Sequence, residues 1–545
     1  MEKWRKVFAV GFAVGACGLA LTACSNQSNS SSSGTKKTLN WMEQAEIPSM
    51  DISKAVDRVS YEQLNNTMEG LYRLGNNAKI EPGLATKTEE SKDGKTWTFT
   101  LRKNSKWSNG DPVTAKDFVY SWRRTVNPKT ASEYSYLFSG VKNADAIVAG
   151  KKPVSSLGVK AEGNYKLVVN LDKRIPYFKL LMGFPLFYPQ NENAVKKFGK
   201  NYAMASKYNY YNGPFVQKGW NGSNLTWKLE KNPNYWDKKN VKLDTINYSV
   251  QKTPSTAYNE YQSGKLDAAV LNAQGTKQLK NQKGYTIRKM ASTQYLQLNM
   301  QKNPDFKNEK LRRAFSMAIN RNNLANTIGG ANQPATTFSA EDMVKVNGKD
   351  YTNLVKNNKT KNVMSYNPSN ANKVYQQALN ELGKKKLSFT ILSDDDDTSK
   401  KAAEFLQSQL ESNLDNLDVN VQSIPKKTRL NRAMKGDFDA VLTGWIADFS
   451  DPISFLDLET TKNTYNFGKW SNSQYDKLVA NSKTTSSENE RWNNMKDAER
   501  VLLEKQGVTP LYHPEEAWMV RPSVKGVVFN GAGAPYSFKN AYVAN

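Results

Sequence analysis

Between residues 367 and 448 the hydrophobic period switches back and forth between 3.6 and 2, and few folds accommodate such a run. NPSNANKVYQQALNELG sets Ala371, Val374, Tyr375, Ala378, Leu379 and Leu382 on one helical face and stops at Gly383. KLSFTILS then alternates as a strand. TSKKAAEFLQSQLESNL returns to helical spacing through Ala402, Phe405, Leu406, Leu410 and Leu414. DVNVQSI reads as a strand, KTRLNRAMKG as a short helix and DFDAVLTGW as a third strand. Strand–helix–strand–helix–strand predicts an α/β fold with an open, largely parallel sheet. Ligands of such sheets sit beyond the carboxyl ends of the strands. Asp448, in GWIADFSDPISFL (444–456), stands just past the third strand. Position alone leaves two readings for it: a turn acid ahead of Ser450-Asp451-Pro452, or a group waiting for a positive charge.

Other strands are expected in KTWTFTLRKNSKW (95–107), YKLVVNL (165–171) and LTWKLEKNP (225–233), with a helix starting near Thr114. At 545 residues the chain exceeds what one core organises, so two or three domains are expected. DDDD at 394–397 reads as a solvated loop whose last acid starts the next helix; its spacing lacks the glycine of a calcium loop.

The N-terminus carries Lys3, Arg5 and Lys6, then an apolar stretch from Val7 to Leu21, the charge pattern of a signal peptide. Leu21-Thr22-Ala23-Cys24 resembles the lipobox of bacterial lipoproteins. There the cysteine takes a diacylglyceryl group, so Cys24 is the expected lipidation site and residue one of the mature chain. SNQSNSSSSGTKK (25–37) reads as a flexible tether. The only other cysteine, Cys17, leaves with the leader, so no disulfide is expected. Seventy-seven Lys and Arg against 51 Asp and Glu give +26, which favours encounter with polyanions such as an anionic wall and, with the tether, points to a Gram-positive surface.

Chemistry is scarce. One histidine, His513, and a single lipidated cysteine exclude a His/Cys metal centre. A Ser-His-Asp triad would have to use His513, and no G-x-S-x-G, Walker A or G-x-G-x-x-G stretch is present. The chain reads as a binder without catalytic residues, metal or cofactor.

TWTFTLRKNSKWSNGDPVTAKDFVYSWRR (96–124) resembles the signature of the family-5 extracellular solute-binding proteins of ABC importers. EGLYRLGNNAKIEPGLA (69–85), AGKKPVSSLGVKA (149–161), YNGPFVQKGW with LEKNPNYWD (211–237), FKNEKLRRAFSMAIN (306–320) and GWIADFSDPISFL follow in the family's order. AGKKPV and YSWRR resemble the oligopeptide-binding branch. The resemblance implies a two-lobed periplasmic-binding-protein-like (class II) fold with an inserted third domain. Lobe 1 would comprise 38–68, 205–292 and 510–545, the insert 69–204, and lobe 2 residues 293–509. It implies an oligopeptide ligand, a membrane permease as partner, a monomer on a lipid anchor, and no nucleic acid.

The resemblance also implies site roles. Asp448 matches the carboxylate that holds the peptide α-ammonium. Gly444, Trp445, Ile446 and Ala447 would pair with the peptide backbone as an added strand, opposed by Val56, Asp57 and Arg58. Trp445 and Tyr295 are candidate pocket walls, with core packing the competing reading for both. Some members grip the peptide carboxylate with an Arg and a His; those positions here are Leu442 and Ser399. Competing readings are a family receptor for dipeptides, chelates or oligosaccharides, a surface adhesin for anionic wall polymer, and a wall hydrolase.

Overall fold

Local signals decide the helices and strands of the 367–448 region. In the computed structural model, which describes residues 37–544, Asn367 caps the helix Pro368–Leu382 by accepting from the Asn370 N–H, and Gly383 ends it at φ 65°. The strands Leu387–Asp394, Leu417–Ile424 and Ala440–Ile446 alternate with the helices Asp397–Asn413 and Lys426–Lys435. Within the acidic run it is Asp396, not the last acid, that caps a helix, accepting from the Thr398 and Ser399 N–H groups. Asp394 instead pairs with Arg429 at 2.8 Å.

These three strands are parallel, but they are half of a six-stranded sheet. Its order is Gln333–Pro334, Thr509–His513, Ser292–Leu298, Ala440–Ile446, Leu387–Asp394, Leu417–Ile424, and the first half is antiparallel. The expected largely parallel sheet is therefore mixed. Ser292–Leu298 and Thr509–His513 lie where the chain enters and leaves this lobe, so passage between lobes sets their direction, not a crossover helix. Thr509–His513 also carries the expected boundary at 510 into a strand of lobe 2; the next strand, Glu515–Val520, belongs to another sheet.

Lobe 1 holds a four-stranded sheet (Thr38–Glu43, Thr245–Val250, Thr226–Lys231, Phe215–Lys218) and a three-stranded one (Ala268–Val270, Glu515–Val520, Tyr285–Lys289). The segment inserted between Thr38–Glu43 and Phe215–Lys218 builds its own four-stranded sheet from Ala85–Glu90, Thr96–Leu101, Lys166–Asn170 and Val159–Ala161. Here the quoted signature has structural duties. Gly110 turns at φ 97°. Thr114 and Asp117 form a capping box for the helix Ala115–Val126, and buried Trp122 donates Nε1–H to the Phe187 carbonyl at 3.0 Å. One continuous apolar core joins all these parts, from Leu39 to Val543. The leader, Cys24 and the tether through residue 36 lie outside the described residues. No described helix is long and apolar enough to cross a membrane.

One helix is almost wholly buried although only a narrow stripe of it, Val59, Tyr61 and Leu64, is apolar. Arg58–Thr67 (RVSYEQLNNT) buries Ser60, Glu62, Gln63, Asn65, Asn66 and Thr67. Its side chains are satisfied from three directions. Trp227 Nε1–H donates to Gln63 (2.9 Å), Tyr248 to Glu62 (3.1 Å), and Asn65 and Asn66 both donate to the Tyr536 carbonyl (3.0 and 3.1 Å). Tyr61, on this helix, faces the site described next.

Candidate functional site

Strand Ala440–Ile446 begins inside the sheet and ends as an edge. On one side its last pair is Leu392↔Val441; on the other, pairing continues to Ser292↔Ile446. Past Val441 one flank is open. The Ala447 N–H donates to the Ala291 carbonyl at 2.8 Å, on the ladder side. Successive residues turn their N–H and C=O groups to opposite sides. Trp445 and Thr443 therefore point to the ladder, while Gly444 and Ile446 address the open flank, where Ile446 is 42% exposed. Gly444 is crowded from within the sheet, since the Gln294 amide lies where its Cβ would be.

This geometry corrects the expected docking edge. Both backbone groups of Ala447 are taken, because its carbonyl accepts the Gly533 N–H at 2.9 Å. The Ala447 N–H is therefore not available to a ligand strand. In the stretch expected to oppose the edge, Val56 is exposed and Asp57 is extended (φ −134°, ψ 159°), but Arg58 already begins the buried helix. Asp57 caps that helix through the Ser60 N–H (2.9 Å), and the Arg58 guanidinium is held by Glu516 (2.8 Å).

Asp448 follows the edge and is only 7% exposed. Its N–H donates to Ser454 Oγ at 2.9 Å, and its carbonyl rests on Gly533, where a Cβ would come within 2.8 Å at a φ of +64°. Burial pushes its carboxyl up to about 7, against the opposing pull of hydrogen bonding from Tyr134 and Tyr136. The Tyr136 hydroxyl lies 3.4 Å from Oδ2. Among the described residues no lysine or arginine forms an ion pair with Asp448. A buried acid without a cation is costly unless a ligand supplies one.

Aromatic rings close round it. Tyr61 and Tyr134 are 6.1 Å apart, Tyr134 and Tyr136 5.7 Å, Tyr136 and Tyr465 6.2 Å, and Tyr465 meets Trp445 edge-on at 5.0 Å. Tyr177 stacks on Phe449 at 5.2 Å. These rings come from lobe 1, the insert and lobe 2, so all three bodies converge here. Burial and the nearby Asp448 raise the phenols of Tyr61, Tyr134 and Tyr136, which stay protonated as donors. A small cavity of about 80 Å³ is walled by Trp445, Asp448, Tyr136, Tyr177 and Phe449. A larger one, about 880 Å³, touches Ser450 and Asp451 but none of residues 444–448.

Tyr295 is not a wall. It is 2% exposed and packs edge-on against Phe338 at 5.0 Å, inside lobe 2. Its strand is flanked on both sides by ladder partners, so its ring can only turn into the layer beneath. Leu442 is equally buried, opposite Leu296, and Ser399 lies in the first turn after Asp396. Neither position offers a cation. Arg429 lies close by, but it is spent on both oxygens of Asp394 (2.8 and 3.0 Å) and on Thr443 Oγ1 (3.0 Å). His513 is buried, with Nδ1 3.0 Å from Thr293 Oγ1. No metal-holding cluster exists among the described residues. Sequence reasoning missed Tyr61, Tyr134, Tyr136 and Tyr465; only the Tyr-x-Tyr spacing of SEYSYL hinted at two of them.

Residues 79–467 match the bacterial extracellular solute-binding proteins, family 5, middle region. The chain belongs to this family. The family-5 protein described here is 35% identical to a dipeptide-binding protein of Lactococcus lactis, covering 99% of this chain and 100% of that one. It is 32% identical to the oligopeptide-binding protein OppA of Bacillus subtilis, over 97% and 96% of the two chains. Among solved structures, Listeria monocytogenes OppA bound to peptide superposes with a TM-score of 0.82 at 37% identity, covering 94% of this chain and 99% of that one. As a family-5 protein it binds a solute and is not an enzyme, and its two-lobed α/β fold is the family's.

Proposed function

We propose that the protein is a lipid-anchored receptor on the outer face of the cell membrane. It captures oligopeptides between its lobes and hands them to an ABC importer. The observation that carries this is Asp448: a buried, uncompensated carboxylate at the end of an open strand edge. A peptide presents both complements, an ammonium at its start and a backbone that extends as a strand. Gly444 and Ile446 supply the edge, and Val56 and Asp57 the expected opposing stretch. Each added hydrogen bond contributes about 0.5–1.5 kcal/mol. Several of them, with apolar burial against Trp445 and Tyr465, reach the roughly −8 kcal/mol of a micromolar complex once ordering costs are met. Cys24 supplies the anchor in this reading, and the expected domain division lets the lobes close on the ligand.

The relatives are named for dipeptides as well as oligopeptides. The absence of a cation at Leu442 and Ser399 favours peptides of variable length, since nothing at those positions measures the distance from ammonium to carboxylate. Calorimetric titration of Asp448→Asn tests the central claim. Free peptides should lose about 30-fold or more in affinity, in line with removal of one partner of a buried charge pair, while N-acetylated peptides change little. Equal loss for both would return Asp448 to a turn residue. Sharp selection for one short length between two and ten residues would overturn the reading of Leu442 and Ser399.

A further inference from the structure

Two cavities share a wall past the end of strand Ala440–Ile446. The smaller, about 80 Å³, is lined by Asp448 and Phe449; the larger, about 880 Å³, by Ser450 and Asp451. The chain thus passes from one to the other between Phe449 and Ser450. Among the described residues only Tyr177 lines both. Its ring stacks on Phe449 at 5.2 Å, the planes 12° apart, so a pair of rings stands between the Asp448 carboxylate and the larger space.

Both rings are fixed in place. Tyr177 starts the helical turn Phe178–Leu181, and its carbonyl accepts the Leu180 N–H at 3.0 Å. Phe449 is buried, and its carbonyl accepts the Asp451 N–H at 2.7 Å. The Arg491 guanidinium lies over the Tyr177 ring, 5.6 Å from its centre, and is held there by Asp451 at 2.8 Å. Beside the stack, Arg174 donates to the Ser486 carbonyl at 2.9 Å and ties the insert to lobe 2. The space at Asp448 falls well below the roughly 300–1,000 Å³ of an ordinary ligand pocket, whereas the space behind the stack lies within that range. Its charges are largely paired, Lys289 with Asp342 and Arg491 with Asp451, so its lining suits a neutral peptide backbone.

We propose that Tyr177 is a specificity-determining residue. Stacked on Phe449, it is the wall that stops a bound peptide at its first residue, and the cavity behind it is a subsite for peptide chain extending past Asp448 that this wall shuts off. The proposal rests on the reading that Asp448 takes the α-ammonium. An ammonium fits the small space in front of the rings; an acyl group or a further residue meets the ring of Tyr177.

The test is titration calorimetry of the full chain with a free-amine pentapeptide and the same peptide carrying an N-acetylglycyl extension. In the wild type the extension loses both the charge pair and the room; Tyr177→Ala returns the room alone. The ratio of free to extended affinity should therefore fall about tenfold in Tyr177→Ala, the scale of relieving one steric clash. It should keep its wild-type value in Tyr177→Phe, which retains the ring. A purely structural role for Tyr177 would weaken both peptides alike and leave the ratio in place. That result, or a wild type that binds the extended peptide as well as the free one, overturns the proposal. If Tyr177→Ala does not fold, Tyr177→Val must show the same fall, and an unmoved ratio there overturns the proposal too. If no free-amine peptide binds the wild type, the peptide reading itself fails; if they bind and the ratio does not move, only the wall does.

Discussion

At Asp448 a carboxyl lifted to about 7 is neutral below that pH, and a neutral acid does not pair with an ammonium. On the proposed reading, in which Asp448 takes the peptide ammonium, binding expels a proton at acid pH. Affinity for a free-amine peptide should fall about tenfold per pH unit as the pH drops below 7, and decline again above about 8 as the α-amine itself deprotonates. Titrations between pH 5 and 9 check this, and Asp448→Asn should flatten the acid limb. The ligand-free fold responds with the opposite sign. A raised carboxyl stabilises below the ordinary aspartate range and loses that contribution as pH rises through about 7. The ligand-free wild type should therefore lose more thermal stability than Asp448→Asn between pH 5 and 8. Glu62, also lifted to about 7 by burial, adds the same sign in both proteins and cancels in the comparison. Gly533 is a second sensitive point. At φ +64° and 2.8 Å from the Asp448 carbonyl, an alanine is strained and must displace the acid. Gly533→Ala should weaken peptide binding by more than its change in melting temperature suggests.

At the scale of elements, the strand edge makes a contrast available. Ile446 turns its N–H to the open flank, so in the proposed docking Ile446→Pro removes a donor from the ligand and none from the ladder. It should lower peptide affinity several-fold, as loss of one hydrogen bond of about 1 kcal/mol does, with a small change in melting temperature. Trp445→Pro strikes the ladder to Ser292–Leu298 and should destabilise the lobe. Paired melting and binding curves separate the two. The helix Arg58–Thr67 shows where sequence reading stops. Amphipathic helices announce themselves by an apolar stripe. This one also buries its polar face, through contacts to Trp227, Tyr248 and the Tyr536 carbonyl, all remote in sequence. Nothing local marks that polar face as buried, and the helix's start at Arg58 shortened the expected edge.

For the molecule as a whole, the site exists only where three bodies meet. Tyr136 and Asp448 are 312 residues apart in the chain, and Tyr61 is more remote still, yet they share one cluster of rings. Enclosure has a salt signature. Affinity for a neutral-bodied peptide should change less than about tenfold between roughly 0.05 and 0.5 M salt, because buried pairs are screened little. Binding of an anionic wall polymer to the +26 surface should collapse over the same range, and a peptide curve of that steepness would favour the adhesin reading.

The 367–446 elements were legible because helical and strand periods are local, and so was the place of Asp448 past a strand end. The family could be read from ordered motifs whose residues mostly cap, turn and pack, as Thr114, Asp117 and Trp122 do. Tertiary structure alone decided which way each edge residue faces, that Ala447 is consumed by Ala291 and Gly533, and that Tyr295 belongs to the core. It also gathered the tyrosines round Asp448. The reason is physical: a period says that a strand forms, but ladder side, burial and electric field depend on neighbours that only the folded chain brings together.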